Sequence, residues 1–129
     1  YGYQTFVGAR TFANFGLISL DVARVTIGDD VQIGPNVQLL TATHPLEPGP
    51  RRDKWEAAEP IVIGDNVWLG ESVMILGGVT IGEGAVIQAG SVVCRNVPSL
   101  AIAGGHPATP FKFRDPKKYD RLKAEGKFL

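Results

Sequence analysis

The sequence predicts an all-β fold, a parallel β-helix wound from six-residue repeats. The repeat is clearest in Ile63-Gly64-Asp65-Asn66-Val67-Trp68 and Leu69-Gly70-Glu71-Ser72-Val73-Met74, and it continues in register to Pro98. An earlier run of the same unit starts at Ile27, and a degraded copy starts at Val7. Sixteen glycines and nine prolines among 129 residues indicate many tight turns.

Each repeat has an aliphatic first residue, usually a following glycine, two turn-forming residues, and a small or β-branched fifth residue. Strand alternation places the first and fifth residues inside and the polar residues outside. One unit cannot bury its own apolar face, but three units form a triangular coil, and stacked coils share a core. A sandwich or barrel of short strands is the alternative. It would need longer runs joined by hairpin turns, which an unbroken period of six does not provide.

Two segments depart from the repeat. Residues 41–60 are polar and rich in proline, and we expect them to protrude as a loop between the first coils, 1–40, and the later coils, 61–98. Arg114 to Leu129 has helical composition, and we expect it to cap the open end of the coil as part of a C-terminal region, 107–129. The length fits a single domain. Because Tyr1 begins in mid-pattern, we expect further N-terminal residues in the full protein.

Composition argues against several classes of partner. Thirteen basic and thirteen acidic residues balance, so no nucleic-acid or acidic-membrane partner is expected. Cys94 is the single cysteine, which excludes an intrachain disulfide and fits a reducing, cytoplasmic compartment. The sequence contains no apolar run of the roughly 18–20 residues needed to cross a bilayer.

Four motifs stand out in order along nearly the whole chain: Phe12-Ala13-Asn14-Phe15, Ile33-Gly34-Pro35-Asn36-Val37, Thr41-Ala42-Thr43-His44-Pro45 and Gly64-Asp65-Asn66-Val67-Trp68-Leu69-Gly70. With these motifs the sequence resembles the galactoside and maltose O-acetyltransferase family of hexapeptide-repeat acyltransferases. Ordinary parallel crossovers are right-handed, so the expectation of a left-handed coil comes from this resemblance alone. The resemblance also implies a homotrimer that transfers an acetyl group from acetyl-CoA to a sugar hydroxyl without a metal.

His44 is the residue that the resemblance assigns to catalysis. An alcohol is a poor nucleophile near neutral pH, and imidazole is a suitable base for the hydroxyl proton. By the same resemblance, Glu56 fixes the imidazole tautomer or binds the acceptor. Asn14 and Asp21 match acceptor-site positions, and an uncharged amide donor suits a developing oxyanion.

The resemblance also implies a groove for the coenzyme between adjacent coils, in which Arg95 and Lys112 meet phosphates. Thr109 stands where relatives commonly carry a basic residue, and Cys94 stands where they carry a threonine. Direct transfer needs no cysteine nucleophile. His106 is interpreted as structural or as a contact at the coenzyme's edge. The matching coenzyme positions are Trp68, Gly70, Glu71, Ala89, Cys94, Arg95, Thr109 and Lys112.

Each of these residues has a simpler interpretation, and other functions are open. His44 alone could be a surface histidine, Glu56, Arg95 and Lys112 could be solvated charges, and Asn14 and Asp21 could serve turns. The acceptor could instead be an antibiotic or a bacterial polysaccharide. A zinc enzyme of the γ-carbonic anhydrase type needs three protein ligands, and the chain has two histidines. The chain could also be a non-catalytic scaffold, in which case the joint presence of His44, Asn14 and Trp68 would be a coincidence.

Overall fold

The computed structural model describes residues 3–43, 48 and 57–126. Within these residues the chain forms short strands and one C-terminal helix. In chain order they are β1 Thr5–Val7, β2 Phe12–Ala13, β3 Ile18–Leu20, β4 Val25–Ile27, β5 Gln32–Ile33, β6 Gln38–Leu40, β7 Ala42–Thr43, β8 Ala57–Ala58, β9 Ile61–Ile63, β10 Trp68–Leu69, β11 Met74–Leu76, β12 Thr80–Ile81, β13 Val86–Ile87, β14 Val92–Val93, β15 Ala101–Gly105, β16 Ala108–Phe113 and α1 Pro116–Ala124.

The strands wind into four coils around three flat faces. Face 1 contains β1, β4, β9 and β12, face 3 contains β3, β6, β11 and β14, and face 2 contains β2, β5, β10 and β13 with β15 and β16 added at its end. Neighbouring strands of successive coils are parallel. Trp68 on β10, for example, pairs with Val86 on β13, three hexapeptides further along the chain. The predicted parallel β-helix is confirmed. We refer to its three edges as the 1–2, 2–3 and 3–1 edges.

The core is the interior of the triangle, filled by the first and fifth residues of the repeats as predicted. Ile63, Val67, Leu69 and Val73 are each at most 1% exposed. Burial of one such side chain stabilises the fold by roughly 1.5–3 kcal/mol, and residues of the same kind fill every coil between Val25 and Val97. Polar residues at the edges supply the turns. Asn66 adopts φ 57°, a left-handed value that asparagine tolerates.

The C-terminal region contains a hairpin that the repeat does not predict. β15 pairs parallel to β13, and β16 then turns back antiparallel to β15. The helix α1 follows directly, with Asp115 as its N-cap: its side chain accepts the backbone N–H of Lys117 at 2.9 Å. The observed helix, Pro116–Ala124, lies within the segment for which helical structure was predicted. The helix contacts the 1–2 edge through Tyr119, which is 8% exposed.

Candidate functional site

The 2–3 edge brings four of the predicted site residues into one line. The backbone N–H of Asn14 donates to Ile33, that of Gly34 to Leu69, and that of Gly70 to Ile87, so the edge rises through all four coils by one repeated hydrogen bond. Asn14 stands at the first coil. Gly70 and Glu71 stand at the third, and Ala89 stands at the fourth.

Close packing explains the small residues on this edge. A Cβ added to Gly70 would lie 2.7 Å from the backbone nitrogen of Ala89. Ala89 and Glu71 are both exposed. Because few side-chain atoms project here, a ligand lying along the edge could approach the backbone closely.

The side-chain amide of Asn14 uses its oxygen in a hydrogen bond, whereas its nitrogen can still donate to a ligand. Its Oδ1 accepts the N–H of Phe15 at 2.8 Å. Among the described residues, its Nδ2 makes no hydrogen bond. The half-buried amide is therefore oriented with a donor to offer, as the predicted acceptor-site role requires.

Face 2, beside this edge, carries an outward column that joins Trp68 to Lys112. The pairs Trp68↔Val86, Val86↔Ile102 and Ile102↔Lys112 run across four neighbouring strands. At about 4.8 Å per strand, the two ends of the column lie about 14 Å apart. The indole of Trp68 is 57% exposed. Thr109 lies on the same terminal strand as Lys112, opposite Gly104 and nearer to the 2–3 edge.

The 3–1 edge holds the remaining described site residues. Cys94 and Arg95 follow β14 and are exposed. Asp21 follows β3 and is buried, and its Oδ2 accepts hydrogen bonds of 2.7 Å from the backbone of Gln4 and the hydroxyl of Thr5. The carboxylate therefore holds the beginning of the first coil in place. Its role in acceptor binding stays a prediction.

The base of the 41–60 loop also leaves the 3–1 edge. It is a two-strand ladder in which Ala42 pairs with Ala58 and Thr43 with Ala57. The predicted catalytic pair, His44 and Glu56, lies outside the described residues. In sequence, these two residues directly follow Thr43 and directly precede Ala57.

A groove of about 1040 Å³ separates face 2 from the C-terminal helix. Trp68, Val86 and Ile102 line its coil side, and Lys112 and Lys118 lie at its margin. Neither lysine has an ion-pair partner in the described part of the chain. The groove thus has an apolar floor and continues the Trp68–Lys112 column. Its charged lining residues are Lys112, Arg114, Lys118, Asp30 and Asp115.

The C-terminal helix forms one side of this groove, and a polar cluster at the 1–2 edge holds the helix against the coil. The Tyr119 hydroxyl donates to Glu83 at 2.9 Å and accepts the Asn66 amide at 3.0 Å, while Lys123 contacts Glu83 at 2.6 Å. The Lys123 hydrogen bond holds the pKa of Glu83 below its usual value. Burial, followed by the bond to Glu83, raises the pKa of Tyr119. This cluster serves docking and is remote from the 2–3 and 3–1 edges.

Among residues 3–43, 48 and 57–126, no three histidine, cysteine, aspartate or glutamate side chains gather closely enough to hold a metal ion. The same part of the chain contains no helix with the length and apolar character of a membrane span. His106 is exposed at the tip of the β15–β16 hairpin.

Comparison with known proteins gives the repeat a family. Residues 60–95 match the family model described as bacterial transferase hexapeptide (six repeats). The chain is a hexapeptide-repeat protein of the bacterial transferase type. It is 44% identical to the galactoside O-acetyltransferase of Escherichia coli K12 over 107 residues, 83% of this chain and 53% of that relative.

Two solved structures show the same likeness for this hexapeptide-repeat protein. One is a hexapeptide-repeat acetyltransferase from Vibrio cholerae complexed with acetyl-CoA, with TM-score 0.87, 43% identity, and coverage of 88% of this chain and 63% of that one. The other is a maltose O-acetyltransferase from Clostridium difficile 630, with TM-score 0.87 and 45% identity. The match covers 89% of this chain and 62% of that one.

These matches confirm the resemblance predicted from the sequence and, with it, the left-handed coil. The chain spans about half the length of the curated relatives it matches.

Sequence reasoning missed the close contacts at the base of the 41–60 loop. Thr41 belongs to the motif around His44, and it is fully buried. The doublet Gly77-Gly78 interrupts the usual pattern of one glycine followed by a polar residue, and that irregularity was a signal that something packs closely there. A Cβ at Gly77 would lie 2.7 Å from the carbonyl oxygen of Thr41.

Proposed function

We propose that this chain is an acetyltransferase that moves an acetyl group from acetyl-CoA to a hydroxyl of a sugar, with His44 as the base. The observation that carries the proposal is the close likeness, over most of the chain, to an acetyltransferase solved with acetyl-CoA. The proposal includes a cytoplasmic location, because the single cysteine of the chain fits a reducing compartment.

The 2–3 edge and the column beside it fit the coenzyme. Gly70 and Ala89 leave backbone groups accessible, Trp68 offers an exposed aromatic face, and Lys112 offers a cation about 14 Å further along the column. Arg95 supplies a second exposed cation at the 3–1 edge. We assign contacts with the thioester arm to the edge and contacts with phosphates to these cations. Glu71, Cys94 and Thr109 complete the assigned contact surface.

The chemistry assigned to the site is a direct transfer. The acceptor oxygen bonds to the thioester carbonyl carbon, its proton passes to His44, and the carbon–sulfur bond then breaks. The departing sulfur takes up a proton to give free CoA. Asn14 supplies a neutral N–H donor for the acceptor or the oxyanion. The register Thr43↔Ala57 supports a joint role for His44 and Glu56, because in sequence His44 follows Thr43 and Glu56 precedes Ala57.

We further propose that the active protein is a homotrimer with its sites between subunits. Asn14, Gly70 and Ala89 lie on the 2–3 edge, whereas the loop base and Arg95 lie on the 3–1 edge. A face of six residues at about 3.3 Å each keeps these edges up to about 20 Å apart. A neighbouring copy could bring the two edges together.

Face 3, between the two edges, is apolar on its outer side and suits burial in such an interface. Its outward residues alternate with buried ones along β6, β11 and β14, and on β3 they flank the half-buried Ser19. The outward residues of these strands are Ile18, Leu20, Leu40, Met74, Leu76 and Val92, with Gln38 as the polar member. Sedimentation at micromolar concentration should give the mass of a trimer, and a monomer there would contradict this assembly.

The decisive experiment removes the imidazole. His44→Ala should lower kcat by roughly 10²–10⁴ and leave KM for acetyl-CoA nearly unchanged, because the coenzyme contacts are assigned to other residues. The wild-type rate should rise with pH through an apparent pKa near the ordinary histidine value, about 6.5. The variant should not show this rise, which is the acidic limb of the pH–rate profile. The matched control is His106→Ala, which should keep both kcat and the pH limb.

The acceptor is identified by the same assay, which measures CoA thiol release. Galactosides, maltose and glucose are compared with a bacterial polysaccharide and a panel of antibiotics. Turnover only with a polysaccharide or an antibiotic would support the proposed acetyltransferase activity but show that the acceptor is not one of these sugars. Binding of acetyl-CoA with no turnover on any acceptor would favour a scaffold.

A further inference from the structure

Thr41 is fixed between the first coil and the loop that leads to His44. Its hydroxyl donates to the carbonyl of Leu20 at 2.5 Å and accepts the N–H of Ala23 at 3.1 Å. Its own backbone N–H donates to Leu20 at 3.2 Å. The side chain therefore closes the turn that carries Asp21, and it is 0% exposed.

The other sides of Thr41 meet the returning arm of the loop and the third coil. Its carbonyl accepts the N–H of Glu59 at 3.1 Å, and the N–H of Gly78 donates to Pro60 at 3.0 Å. Gly77 leaves room for this contact, since a Cβ there would lie 2.7 Å from the Thr41 oxygen. Both arms of the loop are thus bound to the coil at one point, three residues before His44.

We propose that Thr41 is a positioning residue for the catalytic loop, with its hydroxyl setting where the β7–β8 ladder leaves the coil. The inference rests on the proposed role of His44. A displacement of the loop base would be carried along Ala42 and Thr43 to the imidazole, and misplacement of a reacting group by about 1 Å can cost 10²-fold in rate. The hydroxyl is needed in addition to the side chain's volume, because it joins a donor and an acceptor on a different coil.

The test compares a substitution that keeps the size of Thr41 with a substitution that keeps its hydroxyl. Thr41→Val keeps the volume but leaves the N–H of Ala23 without its acceptor, and Thr41→Ser keeps the hydroxyl. With methyl galactoside or maltose as acceptor, we expect Thr41→Val to lower kcat roughly 10- to 100-fold with KM for acetyl-CoA unchanged. Thr41→Ser should stay near the wild-type rate.

Thr11 provides a matched control elsewhere on the coil. Its hydroxyl donates to Gly28 at 2.7 Å and accepts the N–H of Val31 at 3.1 Å, the same bridging pattern at the 1–2 edge. Thr11 is half-buried whereas Thr41 is fully buried, so Thr11→Val should lower stability by a smaller amount and leave kcat unchanged. An equal loss of kcat in Thr11→Val would show that Thr41 acts only through general stability.

A spectroscopic readout separates positioning from folding. The chain has two histidines, His44 and His106, so the imidazole proton signals can be assigned from His44→Ala and titrated by NMR. Thr41→Val should move the titration midpoint of His44 and leave the chemical shifts of His106 as they are in the wild-type protein. An unmoved His44 midpoint would overturn the inference, whether or not the rate falls.

Failure of this inference differs from failure of the proposed function. Near-normal turnover in His44→Ala would end the role of His44 itself. A large loss in His44→Ala together with normal kcat in Thr41→Val would end only the positioning role. Gly77→Ala is a second probe, since its added methyl presses on the Thr41 carbonyl. Gly64→Ala, with its Cβ 2.9 Å from the backbone nitrogen of Glu83, is its control away from the loop.

Discussion

Removal of one hydroxyl, in Tyr119→Phe, should loosen the C-terminal helix from the coil. The hydroxyl donates to Glu83 and accepts the Asn66 amide, and the Oδ1 of Asn66 is already buried without a partner among the described residues. Two lost hydrogen bonds at about 1 kcal/mol each give about 2 kcal/mol. Arg114 lies 4.9 Å from the ring centroid, and this contact survives in phenylalanine.

For a chain of this size, about 2 kcal/mol corresponds to a fall in Tm of about 6–10 °C. The measurement is thermal unfolding at pH 7, monitored by circular dichroism. Tyr3→Phe is the control, because Tyr3 is 92% exposed and should leave Tm unchanged. A Tm for Tyr119→Phe as close to wild type as that of the control would refute the role given to this cluster.

The same variant should respond to acid in a defined direction. Because Lys123 and Tyr119 hold the pKa of Glu83 below the ordinary value of 4.5, ionised Glu83 stabilises the fold at higher pH. That contribution is lost as pH falls through the lowered pKa. The gap in stability between wild type and Tyr119→Phe should therefore narrow below about pH 4.5. A gap that widens in acid would contradict this linkage.

Three further outcomes follow from the proposed site. Arg95→Ala and Lys112→Ala should raise KM for acetyl-CoA more than they lower kcat, because phosphate contacts are remote from the reacting carbonyl. Lys117→Ala is the control for loss of an exposed surface lysine. A fall in kcat with KM unchanged would instead place Arg95 and Lys112 next to the reacting atoms. Gly70→Ala should weaken acetyl-CoA binding measured by calorimetry, because its Cβ would press on Ala89; unchanged affinity would remove the 2–3 edge from the coenzyme surface. Exhaustive chelation should leave turnover intact, and zinc-dependent rescue would revive a metal mechanism.

The sequence alone determined the parts of this protein that are periodic. A six-residue spacing specifies which residues face inward, so the burial of Ile63, Val67 and Leu69 was predictable from pattern alone. Turn-forming residues at fixed places in the unit likewise predicted the edges. The motifs around His44 and Trp68 predicted the resemblance that the comparisons confirm.

Tertiary structure decided everything that depends on contacts between coils. The β15–β16 hairpin follows no hexapeptide spacing, so its antiparallel return and the docking of Tyr119 could not be predicted from sequence. Ser91 takes an inward position usually filled by an aliphatic residue, because its hydroxyl accepts the N–H of Gly105. The positions of Asn14 and Arg95 on different edges of the triangle are likewise given by the structure of the stacked coils. Thr41 shows the physical reason most directly, since its bonds to Leu20 and Ala23 join residues distant in sequence that no local pattern brings together.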